Sequence, residues 1–340
     1  MRRAIYKFVS LVYVIIFIRG GQARKCVNLA IERVIDIYGF SKGLHWDNCT
    51  QKLYFVNIYD QYIHSLDPAT GVVNSVYIEH GTVGVAIPVA GTTDQFVAGA
   101  GKDVILVKWD GNSNKSNVPI EVLFSLDSAQ VSTRTNDGKV DPSGRLWIGT
   151  MSDKVPVNDM AKSKEIPKQG SLYCIKDNLK PEKKIYPVTI SNGLAWNKQN
   201  TIMYYIDTLT QVVSYNYNSN NGEISNKKIV FDLDKTNLKG LPDGMTIDTD
   251  GNIWVALFGG SQVIGVRPRT GTVVCKVELP VENVISVTFG GPLLDTLYVT
   301  TTGCTLDKKQ NPDPQAGALF AIRGLEVRGV PANLFKLAKH

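Results

Sequence analysis

Three short segments of this chain combine side chains suited to oxygen chemistry with glycine turns able to present them. Arg134-Thr135-Asn136-Asp137-Gly138-Lys139-Val140 carries a guanidinium, an amide and a carboxylate within four residues. Ile190-Ser191-Asn192-Gly193-Leu194-Ala195-Trp196 carries one amide. Leu241-Pro242-Asp243-Gly244-Met245-Thr246-Ile247 carries one carboxylate. In each, an Asn-Gly or Asp-Gly turn precedes an apolar strand. One such dipeptide is ordinarily just a turn. Three of them deliver Asn136, Asn192 and Asp243 to one oxygen-rich site if the fold brings the three turns together.

The surrounding pattern supplies such a fold. Short β-rich runs dominate, among them Leu53-Tyr54-Phe55-Val56, Leu146-Trp147-Ile148, Met203-Tyr204-Tyr205-Ile206, Ile253-Trp254-Val255 and Leu297-Tyr298-Val299. Turn signals such as Asp67-Pro68-Ala69-Thr70-Gly71, Asn220-Asn221-Gly222 and Asp250-Gly251 bound them. The runs repeat. With Trp46, Ile87, Asp141, Trp196, Asp248 and Phe289 as markers, successive units lie 41 to 55 residues apart. Six units of four short strands predict an all-β, six-bladed β-propeller. A propeller gathers the turns before its innermost strands at one mouth of a central channel. Trp46, Trp147, Trp196 and Trp254 are expected to pack blades, and Asp141-Pro142-Ser143-Gly144 to be a turn outside the site. A β-sandwich or two separate β domains fit the strand content but not the repeat.

The 340 residues are 43% hydrophobic and 20% charged, the balance of a globular domain. Residues 1–23 read as a signal peptide: Arg2, Arg3 and Lys7 precede the apolar run Phe8 to Ile18, and Gly21-Gln22-Ala23 offers a cleavage site. The run is short for a membrane span; the alternative is an uncleaved signal anchor. Removing it takes four cations from a formal charge of +6 and leaves +2 on residues 24–340, a single domain. That charge gives no argument for nucleic acid. The expectation is a secreted, extracellular monomer, free of the membrane after cleavage. The sequons Asn48-Cys49-Thr50 and Asn114-Lys115-Ser116 fit a secreted glycoprotein, with Asn114 the better placed of the two. The five cysteines match no zinc spacing. Cys26 and Cys49 flank the first strand region and are the expected disulfide; Cys174 and Cys275 sit in strand contexts that suit inert core thiols. No His-Glu-x-x-His, nucleophile elbow or P-loop occurs.

Over residues 38–336 the chain resembles the regucalcin, gluconolactonase and luciferin-regenerating-enzyme family. The likeness rests on Arg134 to Pro142, Ile190 to Leu194, Tyr204-Tyr205-Ile206-Asp207, Pro242-Asp243-Gly244-Met245, Phe289-Gly290-Gly291 and Ala316 to Phe320. It implies hydrolysis of a small sugar lactone around one divalent cation in the channel. Ca²⁺ suits oxygen ligands best, with Zn²⁺, Mn²⁺ or Mg²⁺ as alternatives. Asn192 and Asp243 would be the metal ligands, with Asp243 also the general base. Arg134 and Asn136 would hold substrate oxygens, and Asp153 would reach the substrate from the loop after Gly149-Thr150-Met151.

One implied ligand is replaced. The family places a Glu four residues before the first-blade Trp, in a Gly-Glu-x-Pro-x-Trp pattern. Here Ser41-Lys42-Gly43-Leu44-His45-Trp46 puts Lys42 there. An ammonium for a carboxylate changes the local charge by two. Lys42 then either pairs with Asp243 in the cation's place or reaches out to solvent. Asp137, Asp207 and His45 are the residues able to compensate. The two readings that follow are a metal-dependent lactonase and a non-catalytic secreted propeller that binds a small molecule or acts as an effector.

Overall fold

The computed structural model describes residues 26, 28–37, 39–129, 132–153, 167–302 and 314–337. The expected signal segment, the stretch from Lys154 to residue 166, and Cys304 lie outside them.

Among the described residues, twenty-four strands form six antiparallel sheets of four. The all-β six-bladed propeller is therefore the observed fold. Its innermost strands are Ser41–Asp47, Val83–Pro88, Thr133–Val140, Ser191–Trp196, Leu241–Ile247 and Val284–Gly290, which open blades one to six. They are almost wholly buried and pack side by side around the channel. The last blade is completed by the first strand of the chain: Ala30–Asp36 pairs with Ala318–Arg323 and ties the two ends together. Closure leaves no free inner edge.

Apolar faces of neighbouring blades bury one another. Trp147, Leu172, Trp196, Met203, Tyr205 and Tyr217 fill the space between blades three and four. Trp147 meets Trp196 edge-on at a centroid distance of 6.0 Å, and such pairs add about 0.5–1.5 kcal/mol beyond area burial. The turns away from the mouth are pinned by buried aspartates. Asp141 Oδ2 accepts from Arg145 Nε at 2.6 Å, Trp147 Nε1 at 3.0 Å and Tyr217 OH at 2.6 Å. Asp248 Oδ2 accepts from Trp254 Nε1 at 2.9 Å and Asn252 Nδ2 at 3.0 Å. The tryptophans and Asp141 are thus structural, as their place in the repeat predicts.

The expected Cys26–Cys49 disulfide is not formed. Cys26 bonds Cys275, with Cα atoms 5.6 Å apart. The cause is circular closure. The segment before Ala30–Asp36 lies on the outside of blade six and reaches Thr272–Glu278, the outer strand of blade five. Cys49 instead sits exposed in the turn capped by Asp47, its N–H donating to Asp47 Oδ1 at 2.9 Å. Cys174 is buried and free, its thiol pushed up to about 12 by burial.

Candidate functional site

The residues expected in turns lie within strands. Each innermost strand carries a register break at the same level: Lys42/His45, Val83/Val85, Thr135/Gly138, Ser191/Leu194, Pro242/Met245 and Val284/Ser286. A bulge re-aims a side chain that regular alternation would send elsewhere. The glycine after Lys42, Asn192 and Asp243 lets the next strand close in. A Cβ on Gly193 would lie 2.6 Å from Met245 N, and one on Gly244 would lie 2.7 Å from Ser286 Cα. The Asn-Gly and Asp-Gly pairs are thus close-approach points between blades rather than chain reversals.

The six bulges bring Lys42, Asn136, Asn192 and Asp243 together although 201 positions separate Lys42 from Asp243. Lys42 is only 2% exposed. Its ammonium donates to Asn192 Oδ1 and, at 2.5 Å, to Asp243 Oδ1. Asp137 Oδ2 stands 3.7 Å away, an ion pair longer than a hydrogen bond. Asn136 Nδ2 donates to Asn192 Oδ1 at 2.8 Å and to Ser191 O at 2.9 Å. Both lone pairs of Asn192 Oδ1 are therefore engaged. Arg134 Nη1 donates to Asn136 Oδ1 at 3.2 Å, and its guanidinium lies over the Tyr59 ring at 5.7 Å. Burial holds the Asp243 carboxyl above its ordinary range; Lys42 pulls it partly back, and Asp137 pushes it up again.

Asp153 is exposed one residue beyond the strand Leu146–Ser152, its N–H donating to Ser132 O at 3.0 Å. Asp207 does not compensate for the missing Glu. Its Oδ1 accepts from the N–H groups of Thr189 and Ile190 at 2.9 and 3.0 Å and so holds the approach to the Asn192 strand. His45 is buried within its strand, its pKa lowered to about 4 chiefly by burial. Asp137, weighed only as a compensating residue, is brought close to Lys42. Thr208 was not foreseen: it accepts from Asn192 Nδ2 and donates to Pro242 O at 3.2 Å, locking blade four to blade five at the site. The one available signal was its position directly after Tyr204-Tyr205-Ile206-Asp207.

The family's divalent ion would take oxygen from Asn192 and Asp243. As arranged, both oxygens serve the Lys42 ammonium, and no group of three His, Cys, Asp or Glu suited to a metal occurs among the described residues. The residues fit the chain's own cation rather than a second one. The cluster holds two cations, Lys42 and Arg134, and two carboxylates, Asp137 and Asp243. A divalent ion added there would face no surplus negative charge.

Residues 40–303 match the family described as SMP-30/Gluconolactonase/LRE-like region. A regucalcin of Xenopus laevis is 32% identical over 311 residues, covering 91% of this chain and 99% of the relative. A solved luciferin-regenerating enzyme superposes with a TM-score of 0.84 at 34% identity, over 91% of this chain and 100% of that one. A calcium-binding protein, regucalcin, from Agrobacterium tumefaciens shares the fold with a TM-score of 0.74 at 22% identity, over 89% of this chain and 96% of that one. With the six-bladed architecture and the bulged inner strands, these matches place the chain in the SMP-30/gluconolactonase/LRE-like family.

Proposed function

We propose that this protein is a secreted hydrolase of small polyhydroxylated lactones, of the gluconolactonase type, in which Lys42 supplies the positive charge at the reacting carbonyl. The observation that carries this reading is the convergence of Arg134, Asn136, Asn192, Asp243 and Lys42 at one channel mouth. Two of the three Lys42 N–H donors are spent on Asn192 and Asp243; the third is available to a ligand oxygen. Arg134 and Asn136 orient the hydroxylated ring, and Asp153 meets it from the rim. Water adds to the carbonyl carbon while Asp243 takes its proton. The Lys42 ammonium stabilises the oxyanion. The ring carbon–oxygen bond then breaks, the proton passes to the departing ring oxygen, and the open hydroxy acid leaves.

Secretion is part of the same proposal. The Cys26–Cys275 bond suits an oxidising compartment, and both sequon asparagines, Asn48 and Asn114, are exposed. The closed ring suits a monomer.

A second reading has one observation in its favour. Lys42 already engages the acceptors of Asn192 and Asp243, which suits a propeller that binds a small molecule without turning it over. Gluconolactone hydrolysis by residues 24–340 separates the two, measured after chelation and again with Ca²⁺, Zn²⁺, Mn²⁺ or Mg²⁺ restored. The lactonase reading expects turnover that survives chelation and falls by about a hundredfold or more in Asp243→Ala. Turnover only with an added ion would remove Lys42 from the role assigned to it. No turnover under any condition, with the lactone still raising the melting temperature, would establish the binder.

A further inference from the structure

Below the mouth, the inner strands carry a second tier of residues at equivalent positions. The residues that precede Trp46, Val140, Trp196, Ile247 and Phe289 are His45, Lys139, Ala195, Thr246 and Thr288. In the ladders they pair with Tyr54, Trp147, Tyr204, Trp254 and Tyr298. Lys139, Ala195, Thr246 and Thr288 line one cavity of about 410 Å³, within the range of small-molecule sites. Its far wall is Val330 to Asn333, part of the C-terminal segment that crosses this face of the ring. Val330 N donates to Ile247 O at 3.3 Å, Asn333 Nδ2 to Val140 O at 3.2 Å, and Phe335 N to Pro88 O at 3.1 Å.

The polar groups of this cavity are underused. Among the described residues, Lys139 Nζ makes one hydrogen bond, to Met245 O at 2.8 Å, and no carboxylate stands within ion-pair distance of it. Lys139 is half-buried and lines this cavity, which opens to solvent beside Lys198. The Trp196 indole, on a residue only 6% exposed that also lines the cavity, has no acceptor for its N–H. His45 Nε2 in the same tier is buried without a partner. Buried polar groups in native proteins ordinarily find partners. The acids nearest this tier are committed elsewhere: Asp47 to Cys49 N and Thr50 Oγ1, and Asp137 to Gly138 N and the Lys42 ion pair.

We propose that this cavity is a second binding site, for a small oxyanion such as a carboxylate or phosphate, held by the Lys139 ammonium with the hydroxyls of Thr246 and Thr288. An ammonium with unspent N–H groups, flanked by the Thr246 hydroxyl and by that of Thr288, whose own bond to Phe289 O is long at 3.5 Å, and with no acid among the lining residues, matches the charge and hydrogen bonding of such an anion. The proposal is independent of lactone hydrolysis, because none of Lys42, Arg134, Asn136, Asn192 and Asp243 lines this cavity.

The test is calorimetric titration of the full chain with inorganic phosphate and, separately, with succinate; which of them binds names the source of the anion. The expected result is saturable binding of at least one, weakened at least tenfold in Lys139→Met. Absence of binding by the unsubstituted protein to both probes would overturn the proposal, as would full binding by Lys139→Met. Equal losses in Lys139→Met and Arg134→Gln would also overturn it, by placing the anion at the mouth. If Lys139→Met does not fold, Thr246→Val serves instead. Weakening by severalfold is then expected, and unchanged affinity counts against the site.

Discussion

Two lysines stand on the inner strands, Lys42 buried and Lys139 half-buried, and the two are treated in opposite ways. Lys42 sits in a cage of two carboxylates and an amide, with Asp243 Oδ1 at 2.5 Å and Asp137 Oδ2 at 3.7 Å. Lys139 is half-buried with a single carbonyl partner, and desolvation lowers its pKa to about 8. The contrast shows that burial alone does not set what a lysine does. A caged ammonium is held in place by its partners and keeps one donor for a reacting oxygen. An ammonium with idle donors is open to a visitor and costs stability until one arrives.

The sharpest way to break the comparison is to remove the caged charge. Lys42→Met should cost about 3–5 kcal/mol, because it leaves buried carboxylates without their cation; urea unfolding measures it. A cost no larger than that of Lys139→Met would mean the cage is not a cage. Lys42→Glu replaces the built-in cation by a ligand. Calcium affinity, followed as a calcium-dependent rise in melting temperature, should increase at least tenfold over the unsubstituted protein. Equal affinity would show that Lys42 does not hold the ion's place.

A smaller effect is expected at the cage wall. Asn136→Ala removes one donor to Asn192 Oδ1 and one to Ser191 O and should cost about 1–2 kcal/mol. A negligible loss would mean that Lys42 alone orients Asn192.

The subtlest prediction concerns pH. The charges that act on Lys139 include the Asp137 carboxylate, which favours its protonated form; His45, with its pKa near 4, is neutral in the range considered. Between about 8 and 10.5 the folded chain holds fewer protons at Lys139 than the unfolded chain. The unsubstituted protein should therefore gain stability relative to Lys139→Met as pH rises through that window, and its full penalty should be present below about pH 8. Paired denaturation curves at neutral and alkaline pH check the sign; a flat difference would mean that Lys139 titrates as an ordinary exposed lysine.

Much of the mouth was legible before any coordinates. The blade repeat marks where Asn136, Asn192 and Asp243 stand relative to their strands, and Ser41-Lys42-Gly43-Leu44-His45-Trp46 carries the lysine at an informative position. The local geometry was not legible. Asn-Gly and Asp-Gly signal turns when read alone, and only the neighbouring blade's backbone converts them into bulges with glycine at the contact. Thr208 and Asp207 were misjudged or missed for a related reason: their roles are hydrogen bonds to adjoining segments, which no spacing encodes.

Sequence by itself determined what is periodic. Alternating apolar strands, recurring aromatics and the aspartates that pin the turns repeat with the blade, so fold class and channel follow from local pattern. Tertiary structure alone decided what depends on ring closure and on distances between remote residues. Cys26 finds Cys275 because the first strand completes the last blade. Lys42 reaches Asp243 rather than solvent because six inner strands converge within the length of one side chain. The tier of His45, Lys139, Thr246 and Thr288 becomes a set only when each blade adds one member at the same height. Such a set leaves no motif in the chain, because its members are neighbours only in space.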